Sequence, residues 1–383
     1  MAKRPKILIL TARYGNGHIQ VAKSLENKCK EKGINDVIVC DLFAESHPII
    51  TDITQYLYLK SFTIGPQFYR MFYYGVEKIH DKKVASWYKN FGKRRLSYII
   101  DKEKPDIIIN TFPMIVVPEF RKKTGIVIPT FNVLTDFCLH RIWIHSEIDK
   151  YYVATEELKK KMVAQGVPSF RIHVTGIPIR ESFEESIQPS VLFKKYGINP
   201  TKKVVLLMAG AHGVLKNTVE HCQSLLKDEK IQVAVVCGKN ETLREELHGI
   251  ASAYPDRLHV FGYVERVDEL FRISSCMVTK PGGITLSEAS AIGLPVVLYK
   301  PIPGQEKENA QFFQSKGAAI IANRPEDVIT EVTDLLKNEQ KLVAMKSQMK
   351  QIHKENSSQS IIEDILLESK MYTKRQIVQS VVY

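Results

Sequence analysis

The residues from Cys276 to Asn309 constrain the fold of this chain more than any other stretch. They read CMVTKPGGITLSEASAIGLPVVLYKPIPGQEKEN. An apolar run, Cys276–Thr279, leads into a Pro-Gly-Gly turn and a helical pattern that opens near Thr285. A second apolar run, Pro295–Tyr299, is followed by a polar loop. Two strands joined by a crossover helix predict a parallel βαβ unit.

The turn of this unit has the features of a diphosphate site. Gly282 and Gly283 let the backbone approach a ligand closely, and Thr285 and Ser287 supply hydroxyl groups. A helix that begins here directs its unpaired N–H groups and the positive end of its dipole at the turn. The sequence therefore predicts that this turn binds a diphosphate.

Polar side chains beyond the turn fit the rest of a nucleotide sugar. Glu288, one turn into the helix, can accept hydrogen bonds from a ribose diol, while Gln305, Glu306 and Asn309 follow the next strand. Taken alone, Gly-Gly would be a tight strand–helix turn and Glu288 a solvated helix residue. Two polar loops after consecutive strands, with a carboxylate at helical spacing, favour a nucleotide-sugar site instead.

A similar βα unit opens the chain. The apolar run Lys6–Thr11 leads into a glycine loop, RYGNGH, that ends at His18, and Asp41 closes the next strand. This nominally matches the fingerprint of dinucleotide-binding proteins, which has an acidic residue about 20 positions on. The match is weak because Gln20 stands where the third glycine belongs. His18 would also give a nicotinamide enzyme no advantage.

Asp136 follows another predicted strand, Ile128–Val133, and lies where strand ends collect ligands in open α/β sheets. An N-cap or strand-end role for Asp136 stays open, as does a packing role for His18. His140 and His145 come next, but a histidine pair without a carboxylate partner is a poor zinc pattern. We expect no metal site.

Residues 52–95 are unusually rich in aromatic and basic side chains. Such residues suit the headgroup region of an anionic membrane. The same residue types also suit the core of two amphipathic helices, or stacking on single-stranded nucleic acid. We favour the membrane surface and expect no nucleic acid. The candidate membrane residues are Phe68, Tyr69, Phe72, Tyr73, Lys82, Lys83, Arg94 and Arg95.

Composition narrows the class of protein. The chain has 383 residues, 44% of them hydrophobic, which suits two globular domains of ordinary size. The formal net charge of +12 favours an anionic partner. Six scattered cysteines suggest reduced thiols in a cytosolic protein. The sequence contains neither a signal peptide nor an apolar run of the ~20 residues that a spanning helix needs.

The order of the patterns predicts an α/β protein with two Rossmann-like domains. The two halves are successive α/β units of similar size, with glycine loops after strands in both. We predict an N-terminal domain at residues 1–180, a charged linker at 181–200, a C-terminal domain at 201–355 and a terminal helix at 356–383.

The stretch that begins at Lys280, KPGGITLSEASAIGLPVVLYKPIPGQEKEN, strongly resembles the donor-site signature of the processive diacylglycerol β-glucosyltransferases. That family is related to plastid monogalactosyldiacylglycerol synthases and to the GlcNAc transferase of peptidoglycan synthesis. The resemblance covers nearly the whole chain, including TARYGNGH, TFPMIVVPEF, TDFCLHRIWIH and MAGAHGVLKN. It implies the GT-B fold, with two facing Rossmann-like domains, a cleft between them, and a terminal helix that crosses back to the first.

The resemblance also implies a substrate for each region. The donor would be UDP-glucose, with its hexose at the loop after the second strand and no metal or cofactor. Backbone groups at Gly262, Tyr263 and Val264 would bind uracil. The turn at Gly282, Gly283, Ile284 and Thr285 would hold the diphosphate, helped by Gly210, His212 and Gly213.

The acceptor would be the free hydroxyl of diacylglycerol, reached from the cytoplasmic face of the membrane by a peripheral enzyme. Gly15, Asn16 and Gly17 would face it, and His18 or Asp136 would act as the base of an inverting displacement, with His212 a third candidate. Further rounds would extend the sugar. A transferase with a soluble acceptor and a non-catalytic UDP-glucose sensor remain alternatives.

Overall fold

The structure is a computed structural model that describes residues 4–64, 91–209 and 215–381, with side chains for 4–56, 91–209 and 215–370. The chain divides into two compact units. The first comprises residues 1–179 together with 354–383, and the second comprises residues 180–353. Each unit is built around one parallel sheet with helices, which is the α/β class expected from the sequence.

The described residues of the first unit form a six-stranded sheet in the order β2-β1-β3-β4-β5-β6. The inner strands β1, β3 and β4 are buried along their whole length, as expected for a parallel sheet covered on both faces. The strands are β1 Ile7–Thr11, β2 Val37–Asp41, β3 Ile107–Asn110, β4 Thr130–Val133, β5 Lys150–Val153 and β6 Ile172–Val174.

Helices in this unit follow most of the strands. They are α1 Asn16–Glu31, α2 Leu42–Ser46, α3 Pro48–Ile64, α4 Lys93–Glu103, α5 Val116–Thr124, α6 Glu156–Ala164 and the C-terminal α15 Ser357–Val381. Helix α15 packs against α1, and the Asp364 carboxylate accepts a hydrogen bond of 2.8 Å from the Tyr152 hydroxyl. The last helix thus lies in the first unit.

The described residues of the second unit form another six-stranded parallel sheet, in the order β12-β11-β10-β7-β8-β9. Its inner strands are apolar and buried, and they form one core together with buried residues of the helices that cover the sheet. The strands are β7 Lys203–Met208, β8 Ile231–Val236, β9 Leu258–Phe261, β10 Cys276–Thr279, β11 Val296–Tyr299 and β12 Ala319–Ala322.

The helices of the second unit are α7 Pro189–Tyr196, α8 Thr218–Leu225, α9 Glu241–Ala251, α10 Val267–Ile273, α11 Gly283–Ile292, α12 Gln305–Ser315, α13 Pro325–Lys337 and α14 Glu339–Ile352. The structure differs from the predicted linker at 181–200. Helix α7 begins with a proline in its first turn, ends at Gly197 in the left-handed conformation, and packs against α10 inside the second unit.

Strand order reverses direction once in each sheet. In the first sheet the chain departs from β1 to β2 on one side and to β3 on the other. In the second, β8 and β10 flank β7. Crevices at such switch points, beyond the carboxyl ends of the strands, are where open α/β sheets bind ligands. The loops after β1, β3, β7 and β10 therefore lie where ligand-binding and catalytic residues are expected.

Candidate active site

His18 lies at the switch point of the first sheet, in the first turn of the helix that follows β1. That helix begins after Gly15, whose φ of 103° is one that favours glycine. The His18 ring nitrogen Nδ1 lies 2.7 Å from the carbonyl oxygen of Thr111, which follows β3. Because a carbonyl oxygen only accepts, this contact assigns the proton to Nδ1 and leaves Nε2 with a lone pair.

A second pair of contacts links His18 to Asp136. The Thr135 hydroxyl oxygen lies 3.1 Å from His18 Nδ1 and 3.4 Å from Asp136 Oδ2. Asp136 is buried, with 7% of its surface exposed. Burial lowers the pKa of His18, and the negative charge of Asp136 opposes that shift. A neutral histidine with one fixed tautomer is the form that a general base requires.

Aromatic rings fix the orientation of the His18 ring. Phe112 meets it edge to face at 4.8 Å and stacks against Tyr14 at 5.6 Å. The Tyr14 hydroxyl lies 2.7 Å from the Thr54 hydroxyl on α3. On the glycine loop, Asn16 is exposed while Gly15 and Gly17 are half-buried. Packing and hydrogen bonds therefore hold the imidazole in one place.

The Gly282–Gly283 turn lies at the switch point of the second sheet, between β10 and α11. No side chain caps the helix, whose N-cap Gly282 is exposed. Thr285 is half-buried, and its hydroxyl lies 3.9 Å from the position that a Cβ on Gly282 would take. The Ser287 hydroxyl differs from the expectation, because it donates to the Gly283 carbonyl at 2.9 Å inside the helix.

Glu288, the predicted ribose residue, is buried on α11 with 4% of its surface exposed. Burial raises the pKa of its carboxyl group, and the nearby Arg180 guanidinium opposes that shift. Arg180 donates from Nε to Glu288 Oε1 at 2.9 Å, and its Nη2 lies 2.8 Å from the same oxygen. Neither contact uses Oε2.

Arg180 also reaches the loop predicted to bind uracil. Its Nη1 donates to the carbonyl oxygen of Glu265 at 3.1 Å. In that loop Tyr263 is exposed, whereas Gly262 and Val264 are half-buried. The loop at residues 262–265 and the carboxylate of Glu288 thus share one arginine.

The polar loop after β11 continues into α12. Gly304 precedes this helix with φ 107°, and Gln305 and Glu306 are half-buried in its first turn. Glu306 Oε2 accepts from the Ile302 backbone at 3.0 Å. Burial raises the pKa of Glu306, and the charge of Lys280 opposes the shift.

Asn309 differs from its neighbours because none of its surface is exposed. Its Nδ2 donates to the carbonyl oxygen of Pro281 at 3.1 Å, which links α12 to the glycine turn after β10. This contact holds the turn in place. The predicted role of Asn309 in binding a hexose stays a prediction.

Several predicted site residues lie outside the described residues: Gly210, His212, Gly213, Phe68, Tyr69, Phe72, Tyr73, Lys82 and Lys83. Of the remaining membrane candidates, Arg94 is exposed. Arg95 pairs with Glu45 at 2.6 Å and lies over the Tyr98 ring at 5.2 Å, so its charge is partly neutralised.

Helix α3, which overlaps the start of the predicted membrane stretch at residues 52–95, carries an exposed apolar surface. Ile49, Ile53 and Tyr56 are 75%, 55% and 59% exposed and lie at positions that share one side of a helix. No helix among the described residues is long and apolar enough to cross a bilayer. Those same residues hold no cluster of three or more His, Cys, Asp or Glu side chains that could bind a metal ion.

Sequence reasoning missed three residues of these sites. Thr111 and Thr135 orient His18, and each lies within two residues of the end of a strand, which is a signal that could have found them. Arg180 is the last residue of the predicted N-terminal domain, directly before the predicted linker at 181–200, and no local signal marks it.

Two protein families match the chain. Residues 18–179 match the family described as monogalactosyldiacylglycerol (MGDG) synthase, and residues 190–352 match glycosyl transferases group 1. A processive diacylglycerol beta-glucosyltransferase of Bacillus cereus is 59% identical over 96% of this chain and 95% of that protein. The protein of the same name from Bacillus thuringiensis strain Al Hakam is also 59% identical, with the same coverage.

Solved structures agree on the architecture. A Staphylococcus aureus MnaA–UDP co-structure aligns with a TM-score of 0.61 at 17% identity, covering 94% of this chain and 95% of that one. Acinetobacter baumannii MurG aligns with a TM-score of 0.61 at 15% identity, covering 94% of this chain and 99% of that one. At such identities the likeness concerns the fold, and it confirms the two-sheet α/β architecture of the GT-B type.

Proposed function

Because this chain belongs to the processive diacylglycerol beta-glucosyltransferases, we propose that it transfers glucose from UDP-glucose to diacylglycerol and then to the glucosylated lipid. The observation that carries the activity is 59% identity over 96% of the chain to enzymes of that name. The roles of individual residues rest on the geometry of the two switch points.

His18 is the base that we assign to the reaction. A β product from an α-linked donor requires one in-line displacement, in which the acceptor hydroxyl loses its proton as it attacks. Thr111 and Thr135 hold Nδ1, so Nε2 is the atom that takes this proton. Asp136 then stabilises the imidazolium that forms. A base positioned in this way contributes roughly 100-fold or more to a rate.

The donor nucleotide belongs to the second unit. The uncapped N-terminus of α11 offers backbone N–H groups to the diphosphate, and Glu288 Oε2 accepts the ribose hydroxyls. The loop at residues 262–264 binds uracil, and Gln305 and Glu306 orient the hexose. Asn309 holds the glycine turn after β10 through its contact with Pro281.

The departing UDP needs its negative charge balanced. We assign this to the helix N-terminus, to the Thr285 hydroxyl and to Lys280, without a metal ion or cofactor. Burial lowers the pKa of Lys280, and the carboxylate of Glu306 opposes the shift. Glu306 thereby helps to keep Lys280 charged.

The acceptor lipid lies in a bilayer, so the enzyme works as a peripheral protein at the cytoplasmic membrane surface. The exposed apolar side of α3, with Ile49, Ile53 and Tyr56, supports this assignment. The net charge of +12 adds attraction to anionic lipid.

The test is a transfer assay with radiolabelled UDP-glucose and liposomes that contain diacylglycerol, with products separated by thin-layer chromatography. We expect mono- and then diglucosyl lipid to appear in sequence. Binding of UDP-glucose without any labelled lipid would contradict the proposal. Transfer to a soluble acceptor instead would indicate a different acceptor class.

A further inference from the structure

Arg180 is the first residue of the second unit, and three of its nitrogen atoms are engaged. Nε and Nη2 contact one oxygen of Glu288, at 2.9 Å and 2.8 Å, and Nη1 donates to the Glu265 carbonyl at 3.1 Å. The guanidinium carbon lies 5.0 Å from the centre of the Phe183 ring. The group is therefore fixed on its edge by hydrogen bonds and on its face by an aromatic ring.

These contacts join parts of the sheet that are not neighbours. Glu265 follows β9 at one edge, whereas Glu288 lies on the helix after β10. Strands β7 and β8 separate the two in the sheet. Arg180 therefore links the loop at residues 262–265 to the Glu288 carboxylate, although the strands that precede them are not adjacent in the sheet.

We propose that Arg180 is a positioning residue for the donor nucleotide, because it fixes the uracil-binding loop and the ribose-binding carboxylate relative to each other. The inference rests on the proposed function of the Glu288 site. Arg180 acts through Glu288 and Glu265 and leaves Oε2 to the ribose hydroxyls.

The charge of Arg180 adds a second effect, since Glu288 is buried. Burial alone favours the protonated carboxyl group. A protonated oxygen is a donor, so the group could then no longer accept both ribose hydrogen bonds on that oxygen. Arg180 lowers the pKa of Glu288 against this effect.

The other charged groups around α11 do not replace that effect. Asp268 on α10 raises the pKa of Glu288, and Asp268 is itself held by Arg266 at 3.1 Å, with Arg272 at 4.0 Å. Lys350 of α14 lies against Gly293, at the far end of α11. Of the groups that shift the carboxyl, Arg180 is the one that favours its ionised form.

Lysine would not substitute for this residue. A single ammonium group cannot span the Glu288 carboxylate and the Glu265 carbonyl in the fixed fork that the guanidinium provides. Lysine would, however, keep the positive charge. The two effects of Arg180 can therefore be separated by two variants.

The experiment measures UDP-glucose affinity by calorimetry, without acceptor, at several values between about pH 5 and pH 8. Each phosphate of UDP-glucose carries one ester and one anhydride bond and keeps a single negative charge over this range, so the ligand does not titrate. The variants are Arg180→Lys, Arg180→Met and Glu288→Gln. The matched control is Lys195→Met, because Lys195 also pairs with a buried glutamate of this unit, Glu269, and neither residue is among the groups that shift the pKa of Glu288.

We expect Arg180→Met to lower the affinity for UDP-glucose by about ten-fold at neutral pH, because a charge-assisted contact is lost. Its affinity should also begin to fall at a higher pH than in the unmodified enzyme, because the pKa of Glu288 is no longer held down. Arg180→Lys should lose affinity while keeping the original pH dependence. Lys195→Met should change neither. In turnover, KM for UDP-glucose should rise in Arg180→Met with kcat nearly unchanged.

Unchanged affinity and pH dependence in Arg180→Met would overturn the inference. Tighter binding in that variant would overturn it as well, because Arg180 would then obstruct the ribose site. Should Arg180→Met fail to fold, unchanged affinity in Arg180→Lys has the same meaning. Normal binding by Glu288→Gln is a separate outcome, which removes the ribose assignment itself.

Discussion

The switch points of the two sheets occupy equivalent places but use different chemistry. In the first unit, the helix after β1 presents an imidazole that a carbonyl oxygen after β3 holds at 2.7 Å. In the second, the helix after β10 starts at an exposed glycine with no side-chain cap. Both helices begin after a glycine without a capping side chain. In the proposed mechanism a side chain acts in the first unit, and the backbone acts in the second.

The difference follows from what each step needs. Proton transfer needs one titratable group with a fixed tautomer, whereas a diphosphate needs fixed N–H dipoles and no side-chain volume in the way. Changes at the first switch point should therefore affect turnover. Changes at the second should affect donor affinity.

The largest expected effect is that of His18→Ala. Turnover with diacylglycerol liposomes should fall by roughly 100-fold or more, the usual contribution of a positioned base, while UDP-glucose affinity stays the same. Radiolabel transfer and calorimetry measure the two quantities. His248→Ala, at an exposed histidine on α9, is the control. An equal loss of UDP-glucose affinity and turnover would contradict the assignment of proton transfer to the first unit and donor binding to the second.

Glu288→Ala is the counterpart in the second unit. It should lower the affinities for UDP and for UDP-glucose alike by ten- to a hundred-fold, because a charge-assisted pair contributes about 1.5–3 kcal/mol. Calorimetry with both ligands measures this. A folded variant that binds UDP with unchanged affinity would contradict the assignment.

Ile49→Ser together with Ile53→Ser tests whether the apolar surface of α3 contacts lipid. We expect liposome binding to weaken by about ten-fold at every salt concentration, because the lost contribution comes from apolar area and ionic strength does not screen it. Sedimentation with vesicles measures this. Arg94→Gln, in contrast, should reduce only the salt-dependent part. Normal vesicle binding by the double variant would place the lipid surface elsewhere.

Asp136→Asn should have the smallest effect on the maximal rate. The charge of Asp136 raises the pKa of His18, so its removal lowers that pKa. His18 must be neutral to act, and the acid limb of the kcat profile should therefore move to lower pH. If kcat at the high-pH plateau instead falls as far as it does in His18→Ala, Asp136 is the base.

The sequence predicts those features that depend on neighbouring residues. Apolar runs that end in glycine turns mark β1 and β10, so both switch points and His18 could be placed without a structure. Arg180 could not be placed, because its partner Glu288 lies 108 positions away. Only the folded sheet brings the two together.

Two other differences have equally physical causes. The stretch at 181–200 has the charges, proline and glycine of a linker, yet Pro189 and Gly197 here start and stop a helix. For Asn309, the spacing in the sequence does not reveal which side of α12 faces inward. Its complete burial and its contact with Pro281 depend on the packing of that helix.

The placement of α15 has a consequence for synthesis on the ribosome. Residues 180–353 are contiguous and can fold as they emerge, whereas the first unit waits for Ile361, Ile362 and Ile365, which are fully buried in the folded chain. The unit that is translated first is therefore completed last. During that interval the surface of α1 that α15 will cover stays open to chaperones. A premature stop codon just after residue 353 would release a complete second unit attached to an unfinished first one.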